Sequence, residues 1–453
     1  MKKFALALLL LGIACLPMKA DIVVKPSVEK GNIKPMNAVN NGPERSGKSQ
    51  QSDNFEAYKA ARIPYARTHD SSFNPNYGSE HTVDISAVFP DFSRDPGKAE
   101  NYDFAVTDKY LRNIQDAGTK VFFRLGQKIE HYVRKYNVCP PSDNRKWARI
   151  CEHIIRHYNE GWADGMHLGI EYWEIWNEPD LDDSTWKGTP EQFYDLYETT
   201  AKHLKKCFPE LKIGGPAATG RRDWSEAFLA EMARRKVPID FYSWHRYTVD
   251  PGNFVMNATY FRELLDSNGY TGTESIIDEW NYVKGWRETY PASLQVIASE
   301  KGGAYTAAVM CAVQDCPVDM LMYYDARTGT RFNGLFDYQS NQPLSAYYAL
   351  YAWSHLLYDY GTCVEAVSDE EDIYTAAAKS PSGKMAILVS RYNEDDNDVA
   401  ARVIKIKAPG IPDGTVYGHL TDKWHSYTEV PLNCSDGEIS VTLLPSSFIL
   451  IEW

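Results

Sequence analysis

The chain has 453 residues, of which 43% are hydrophobic and 24% charged. These are ordinary globular proportions, and they exclude disordered, collagen-like and polytopic membrane classes. The formal net charge of −13, from 48 Lys+Arg against 61 Asp+Glu, would repel a phosphate backbone, so no nucleic-acid partner is expected.

Residues 1–20 open with Lys2 and Lys3, continue as an apolar run over 4–16, and end in Ala20 before the polar Asp21. This is the pattern of a secretory signal peptide, and it predicts an exported protein, periplasmic or extracellular. Cys15 follows Leu11-Gly12-Ile13-Ala14, an imperfect lipoprotein box with its Leu one position too far upstream, so lipid attachment at Cys15 stands as a second reading. No later stretch offers about 18 consecutive apolar residues, and no membrane span is expected. The other seven cysteines are scattered and odd in number, which argues against a disulfide scaffold. Cys311 and Cys316 fall in an apolar segment and are expected to be buried thiols.

Residues 21–36 carry an early strand with no partner in the region that follows, and it is expected to join a sheet near the C-terminus. From 37 to 357, short apolar runs alternate with amphipathic ones. Strands are predicted at 36–39, 65–68, 120–125, 170–176, 211–214, 239–244, 275–279 and 320–324. Helices are predicted at 54–61, 106–117, 144–159, 190–207, 225–236, 255–267, 293–312 and 344–357, with start signals such as Thr189-Pro190-Glu191. Eight strand–helix units without a Gly-x-Gly-x-x-Gly turn after an early strand favour an α/β fold of the (β/α)₈ TIM barrel type over an open doubly wound sheet. After 358 the pattern changes to short alternating runs at 373–378, 385–391, 400–406, 415–420 and 439–444, parted by turn signals such as Pro412-Asp413-Gly414. This predicts a C-terminal β-sandwich domain over 358–453.

In a TIM barrel the catalytic groups sit at the C-terminal ends of strands. Those ends carry Arg67-Thr68-His69-Asp70, Trp176-Asn177-Glu178-Pro179-Asp180, Trp244-His245-Arg246-Tyr247 and Asp278-Glu279-Trp280-Asn281, with Arg124 and Asp325 on strands three and eight. Glutamates ending strands four and seven would face each other across the barrel mouth. Paired carboxylates are what glycoside cleavage needs: one protonates the leaving oxygen, and the other attacks the anomeric carbon or activates water. Strand alternation lets only one of Asp278 and Glu279 face the lumen, and the longer Glu279 is preferred. Glu174 has the same parity as Trp176 and Glu178, and is expected to be a buried carboxylate paired with Arg67 or Arg124. A metal site on His69 and His245 would lack His-x-His and carboxylate partners, so neither metal nor cofactor is expected.

The run Tyr172-Trp173-Glu174-Ile175-Trp176-Asn177-Glu178-Pro179-Asp180 resembles the Asn-Glu-Pro signature of clan A retaining glycosidases. With Ser243-Trp244-His245-Arg246-Tyr247 and Ile276-Ile277-Asp278-Glu279-Trp280-Asn281, it is most similar to glycoside hydrolase family 39, which includes β-xylosidases and α-L-iduronidases. The resemblance spans about residues 37–337. It implies Glu178 as general acid/base and Glu279 as nucleophile, with Asn177 on the sugar 2-hydroxyl and His69, His245 and Tyr247 lining the subsite. Arg67 and Trp280, at the same strand ends, complete the expected substrate-binding set. Trp176, Trp244 and Trp286 are further candidates for stacking on a sugar ring. Two departures leave the sugar open: Tyr323-Tyr324-Asp325-Ala326-Arg327 lacks the aromatic run associated with the family, and Arg67-Thr68-His69-Asp70 is closer to iduronidases. The partner expected is therefore an oligosaccharide or other glycoside. Long loops over 71–102 and 127–143 suggest a walled pocket and exo action. An iduronidase-like, arabinosidase-like or endo-acting enzyme, or a non-catalytic carbohydrate-binding protein, stays open at this point.

Overall fold

The computed structural model describes residues 21–45, 53–69 and 82–453. The predicted signal segment with Cys15, and residues 70–81 of the loop after the second barrel strand, lie outside the described residues. Strand β1 (Ile22–Asn32) comes first, and it pairs antiparallel with the 362–368 segment and parallel with Ile406 and Lys407. The chain then enters the barrel: β2 (Ala38–Asn40), β3 (Tyr65–Thr68), β4 (Lys120–Leu125), β5 (Tyr172–Ile175), β6 (Lys212–Ala218), β7 (Phe241–Tyr247), β8 (Glu274–Asn281) and β9 (Met320–Tyr323). These eight strands pair in parallel, each with the next in sequence, and β9 closes on β2.

The local sequence explains the covering helices. Pro190–Cys207 starts in a reciprocal capping box between Thr189 and Gln192 with Pro at its first turn, and Asn144–Glu160 starts on the Asp143 side chain. The latter stops at Gly161, whose φ of 76° lies in the left-handed region open to glycine. One helix departs from expectation. The segment predicted over 293–312 is two helices, Tyr290–Ile297 and Glu300–Gln314, because Ser299 turns extended and caps the second by accepting from Lys301 N–H. Ser299 followed by Glu300 is a helix-start signal that the expectation of one long helix passed over.

Two apolar layers flank the strands. Outward-facing residues merge with the helices into one large core, while Ala38, Phe122, Tyr172, Phe241, Ile276, Met320 and Met322 form a separate cluster inside the lumen. This plug closes the lower barrel, so whatever chemistry the upper lumen holds is shielded from water below.

The C-terminal strands are β10 (Thr362–Ser368), β11 (Ile373–Lys379), β12 (Met385–Arg391), β13 (Arg402–Lys407), β14 (Gly414–Thr421), β15 (Thr428–Ser435), β16 (Glu438–Leu443) and β17 (Ser447–Glu452). With β1 they form a closed, mostly antiparallel nine-stranded sheet. Sequence patterning missed β10, β15 and β17. Strand β17 is buried almost throughout and so shows no alternation, while β15 is interrupted by Pro431. The Glu300–Gln314 helix seats on this sheet, with Ser390 Oγ on β12 donating to the Ala304 carbonyl at 2.8 Å. Leu388, Phe448 and Leu450 thereby join the barrel's outer core.

Candidate active site

Arg67 on β3 stands at the centre of the lumen, fully buried. Its Nε donates to Glu174 Oε2 at 2.6 Å and lies 3.2 Å from Asp278 Oδ2. Nη1 donates to Asn40 Oδ1 at 3.0 Å and to Glu279 Oε1 at 2.8 Å, and Nη2 donates to Asn177 Oδ1 at 2.7 Å. Burial works against the guanidinium charge, but Glu174, Asp278 and Glu279 outweigh it and raise its pKa. The expectation that Arg67 binds substrate is corrected: all three of its nitrogens are held by protein groups, and it positions Glu279 and Asn177 from below.

Strand β5 ends at Ile175, and the next residues break its alternation. Trp176 and Glu178 take left-handed φ values of 77° and 50°, held by Trp176 N–H to the Leu125 carbonyl (2.8 Å) and Glu178 N–H to the Ala217 carbonyl (2.9 Å). Such φ values are strained for residues with a Cβ and persist only when the surroundings enforce them. The effect is to turn neighbouring side chains apart. The Trp176 indole leaves the lumen to pack on Trp147 and Trp186, donating to the Thr185 carbonyl, while the Glu178 carboxylate turns inward to 2.8 Å from His245 Nδ1. The shared parity expected for Glu174, Trp176 and Glu178 therefore fails at Trp176 alone.

A second irregularity sits on β8. Trp244 pairs with Ile277 and His245 with Glu279, so Asp278 is the extra residue of a β-bulge. The expectation that only one of Asp278 and Glu279 faces the lumen is overturned, since both meet Arg67. Tyr247 donates its hydroxyl to Glu279 Oε2 at 2.8 Å, and His69 Nε2 lies 3.2 Å from Glu279 Oε1. Thus Glu178, Glu279, Asn177, His69, His245 and Tyr247 are brought together.

Trp280 is not among them. It is 0% exposed and packs in the outer core against Phe254, Tyr305 and Tyr323. Alternation resumes after the bulge, and the residue following the inward Glu279 must point outward. Trp244 is likewise fully buried, against Phe261. Of the four tryptophans considered, Trp286 alone is largely exposed, at 56%. It meets Tyr247 edge-on at 5.0 Å and, with Phe332 and Tyr324, forms an aromatic wall at the barrel mouth.

Sequence reasoning missed Asn40, which donates to the Asp278 carbonyl at 2.7 Å and so pins the bulge. The first barrel strand runs one residue further than predicted, and a polar residue ending an apolar strand was the available signal. Phe332 lies on a loop without periodicity and gave none.

The electrostatics separate the two glutamates. Burial pushes the Glu178 pKa up, and the negative charge of Glu279 adds to this against the His245 hydrogen bond. Burial acts the same way on Glu279, but His245, His69 and Arg67 overcome it and hold its pKa below the usual range. His245, despite complete burial, is held protonated by Glu279 and Asp278. Donor atoms of Glu178, His245 and Glu279 lie within 4.8 Å of one another, close enough for a metal by spacing alone. A protonated imidazole has no lone pair for a cation, so the trio fits proton chemistry better.

An eight-stranded parallel barrel, closed from below and carrying opposed glutamates on its fourth and seventh strands, is the architecture of the clan A glycosidases. Solved structures share the fold. A glucosidase from Croceicoccus marinus superposes with TM-score 0.76 at 24% identity, covering 96% of this chain and 98% of that one. A monomeric β-xylosidase from Caulobacter crescentus gives 0.69 at 16% over 95% and 98%, and an α-L-arabinofuranosidase from Thermotoga maritima gives 0.68 at 16% over 96% and 100%. Residues 24–313 match glycosyl hydrolases family 39, and the chain belongs to that family. It is 36% identical over 179 residues to a β-xylosidase of Geobacillus stearothermophilus (36% of this chain, 34% of the relative). A β-xylosidase of Caldicellulosiruptor saccharolyticus is 31% identical over 160 residues (33% and 32%). The aligned stretches span about a third of the length of these curated relatives.

Proposed function

We propose that this protein is an exported, exo-acting, retaining O-glycoside hydrolase of β-xylosidase type. The observation that carries the reaction class is that one carboxylate oxygen of Glu178 and one of Glu279 lie within 4.8 Å of each other, with pKa values pushed in opposite directions. Carboxyl groups in retaining enzymes stand about 5–5.5 Å apart, against roughly 6.5–9.5 Å in inverting ones, which need room for a water. Glu279, held ionised, attacks the anomeric carbon as Glu178 gives its proton to the departing oxygen, so the C–O bond breaks as the glycosyl–enzyme ester forms. Glu178, now a carboxylate, takes a proton from water, which attacks the same carbon and releases Glu279. No step needs a metal. The named relatives favour a xyloside, and the Trp286 wall favours a ring-shaped leaving group. Export rests on the 1–20 pattern.

Chromogenic glycosides differing in sugar and anomer test the substrate, and two variants test the roles. Glu178→Ala should cripple turnover of poor leaving groups far more than of activated aryl glycosides, with azide restoring the latter as the retained glycosyl azide. Glu279→Ala should abolish both. If Glu178→Ala slows both substrates equally without azide rescue, and Asp278→Ala is the dead variant, the assignment is wrong.

A further inference from the structure

On the outer wall of the barrel, Glu152 on the Asn144–Glu160 helix meets His203 and Cys207 on the Pro190–Cys207 helix. Glu152 Oε2 is 2.7 Å from His203 Nε2, and Cys207 Sγ is 3.8 Å from the same nitrogen. The three donor atoms lie within 4.8 Å of one another, and all three residues are partly exposed. We propose that they form a binding site for a thiophilic divalent cation of the zinc class, which ties the two helices together.

The donor set is a thiolate, an imidazole and a carboxylate, the combination that selects zinc over calcium or magnesium. Bond lengths of roughly 2.0–2.3 Å to such donors place neighbouring ligand atoms about 3.3–3.8 Å apart in a tetrahedron, so adjustments of about 1 Å complete the site. His203 and Cys207, four apart on one helix, share a face. Arg156 engages Glu152 through Oε1 and is itself paired with Glu160 at 2.6 Å, leaving Oε2 turned to His203. Cys207 ends its helix, where exposed carbonyls favour a cation. On binding, the cation displaces the thiol proton to solvent, and the imidazole carries its single proton on Nδ1 while Nε2 takes the metal. Three protein ligands leave the fourth position to water. The helix ends here at the N-terminal face of the barrel, away from Glu178 and Glu279, where changes affect stability rather than catalysis.

The test uses the full chain, stripped with EDTA and titrated with Co²⁺. One equivalent should produce a near-ultraviolet thiolate-to-cobalt band that Zn²⁺ displaces. Cys207→Ser and His203→Ala should remove the band and weaken binding at least tenfold, while Cys139→Ser, which alters the other partly exposed thiol among the described residues, should not. Zn²⁺ should raise the wild-type Tm but not that of Cys207→Ser, and turnover should be unchanged. In folded wild-type protein, Zn²⁺ should slow iodoacetamide alkylation of Cys207 at least tenfold, a readout that needs no variant. Absence of the band, wild-type affinity in Cys207→Ser, or an unprotected Cys207 would each overturn the proposal.

Discussion

Replacing Glu174 by Gln should remove a pH dependence of stability that originates beneath the Glu178 and Glu279 carboxylates. Glu174 Oε1 and Asp278 Oδ1 are buried and receive no hydrogen bond, and the two carboxylates share the Arg67 Nε. Burial first, and then the charge of Asp278, push Glu174 from 4.5 up to about 8 against the pull of Arg67. Asp278, though buried too, is held ionised by Arg67 and His245. A proton on Glu174 supplies the missing donor. Folded protein therefore keeps this proton in a window, from 4.5 to about 8, in which unfolded chain has released it. Each pH unit in that window favours unfolding by about 1.4 kcal/mol. The contribution is complete below the unfolded value and is lost as pH rises through the folded one. A glutamine amide in the same place cannot titrate. Urea unfolding of both proteins at pH 5.5, 6.5 and 7.5 should show wild type losing stability relative to Glu174→Gln by about 1.4 kcal/mol per unit. A difference independent of pH would refute the shared proton and mean that Glu174 is an ordinary ionised partner of Arg67.

Tyr247→Phe removes a charged hydrogen bond to Glu279 worth about 1.5–3 kcal/mol, and kcat/KM should fall roughly 10- to 150-fold with little loss of fold stability. Trp280→Ala should cost about 3–5 kcal/mol of stability, because the ring fills the outer core; a raised KM at unchanged stability would restore it to the substrate site. The pH profile of kcat/KM should be bell-shaped, with an acid limb below the ordinary carboxylate range from Glu279 and a basic limb above it from Glu178, and an acid limb above about 5 would contradict the Glu279 environment. Proton NMR of a hydrolysis time course should show the product first in the substrate's anomeric configuration, and dialysis against EDTA should leave turnover intact.

All eight barrel strands were legible because parallel strands buried on both faces form dense apolar runs, and polar residues at their ends then locate the site without tertiary information. Glu178, His245 and Tyr247 were found this way. What failed was side-chain direction wherever the backbone departs from a regular strand. The bulge at Asp278 and the left-handed Trp176 each break the two-residue period on which facing arguments rest. Both lie in the backbone of the candidate active site, where strain re-aims side chains, and neither Asp278 nor Trp176 is a residue type that announces a bulge or a positive φ. Arg67 was legible as a strand-end residue, but its role depends on Asn40 from β2, Glu174 and Asn177 at the end of β5, and Asp278 and Glu279 from β8, a convergence no local window contains.

The placement of β1 has a consequence for how the molecule is made. The Ile22–Asn32 segment pairs with residues 362–368 and 406–407, so during synthesis it waits for its neighbours until the whole barrel has been made, while the barrel between them can already close. Such distant pairing is slow to form, and an unpaired strand edge is prone to wrong partners meanwhile. The nine-stranded sheet is therefore discontinuous in the chain, and no single cut separates it from the barrel. A fragment ending near residue 357 would keep β1 as a strand without a sheet, and a fragment beginning there would hold a sheet with a gap between β10 and β13.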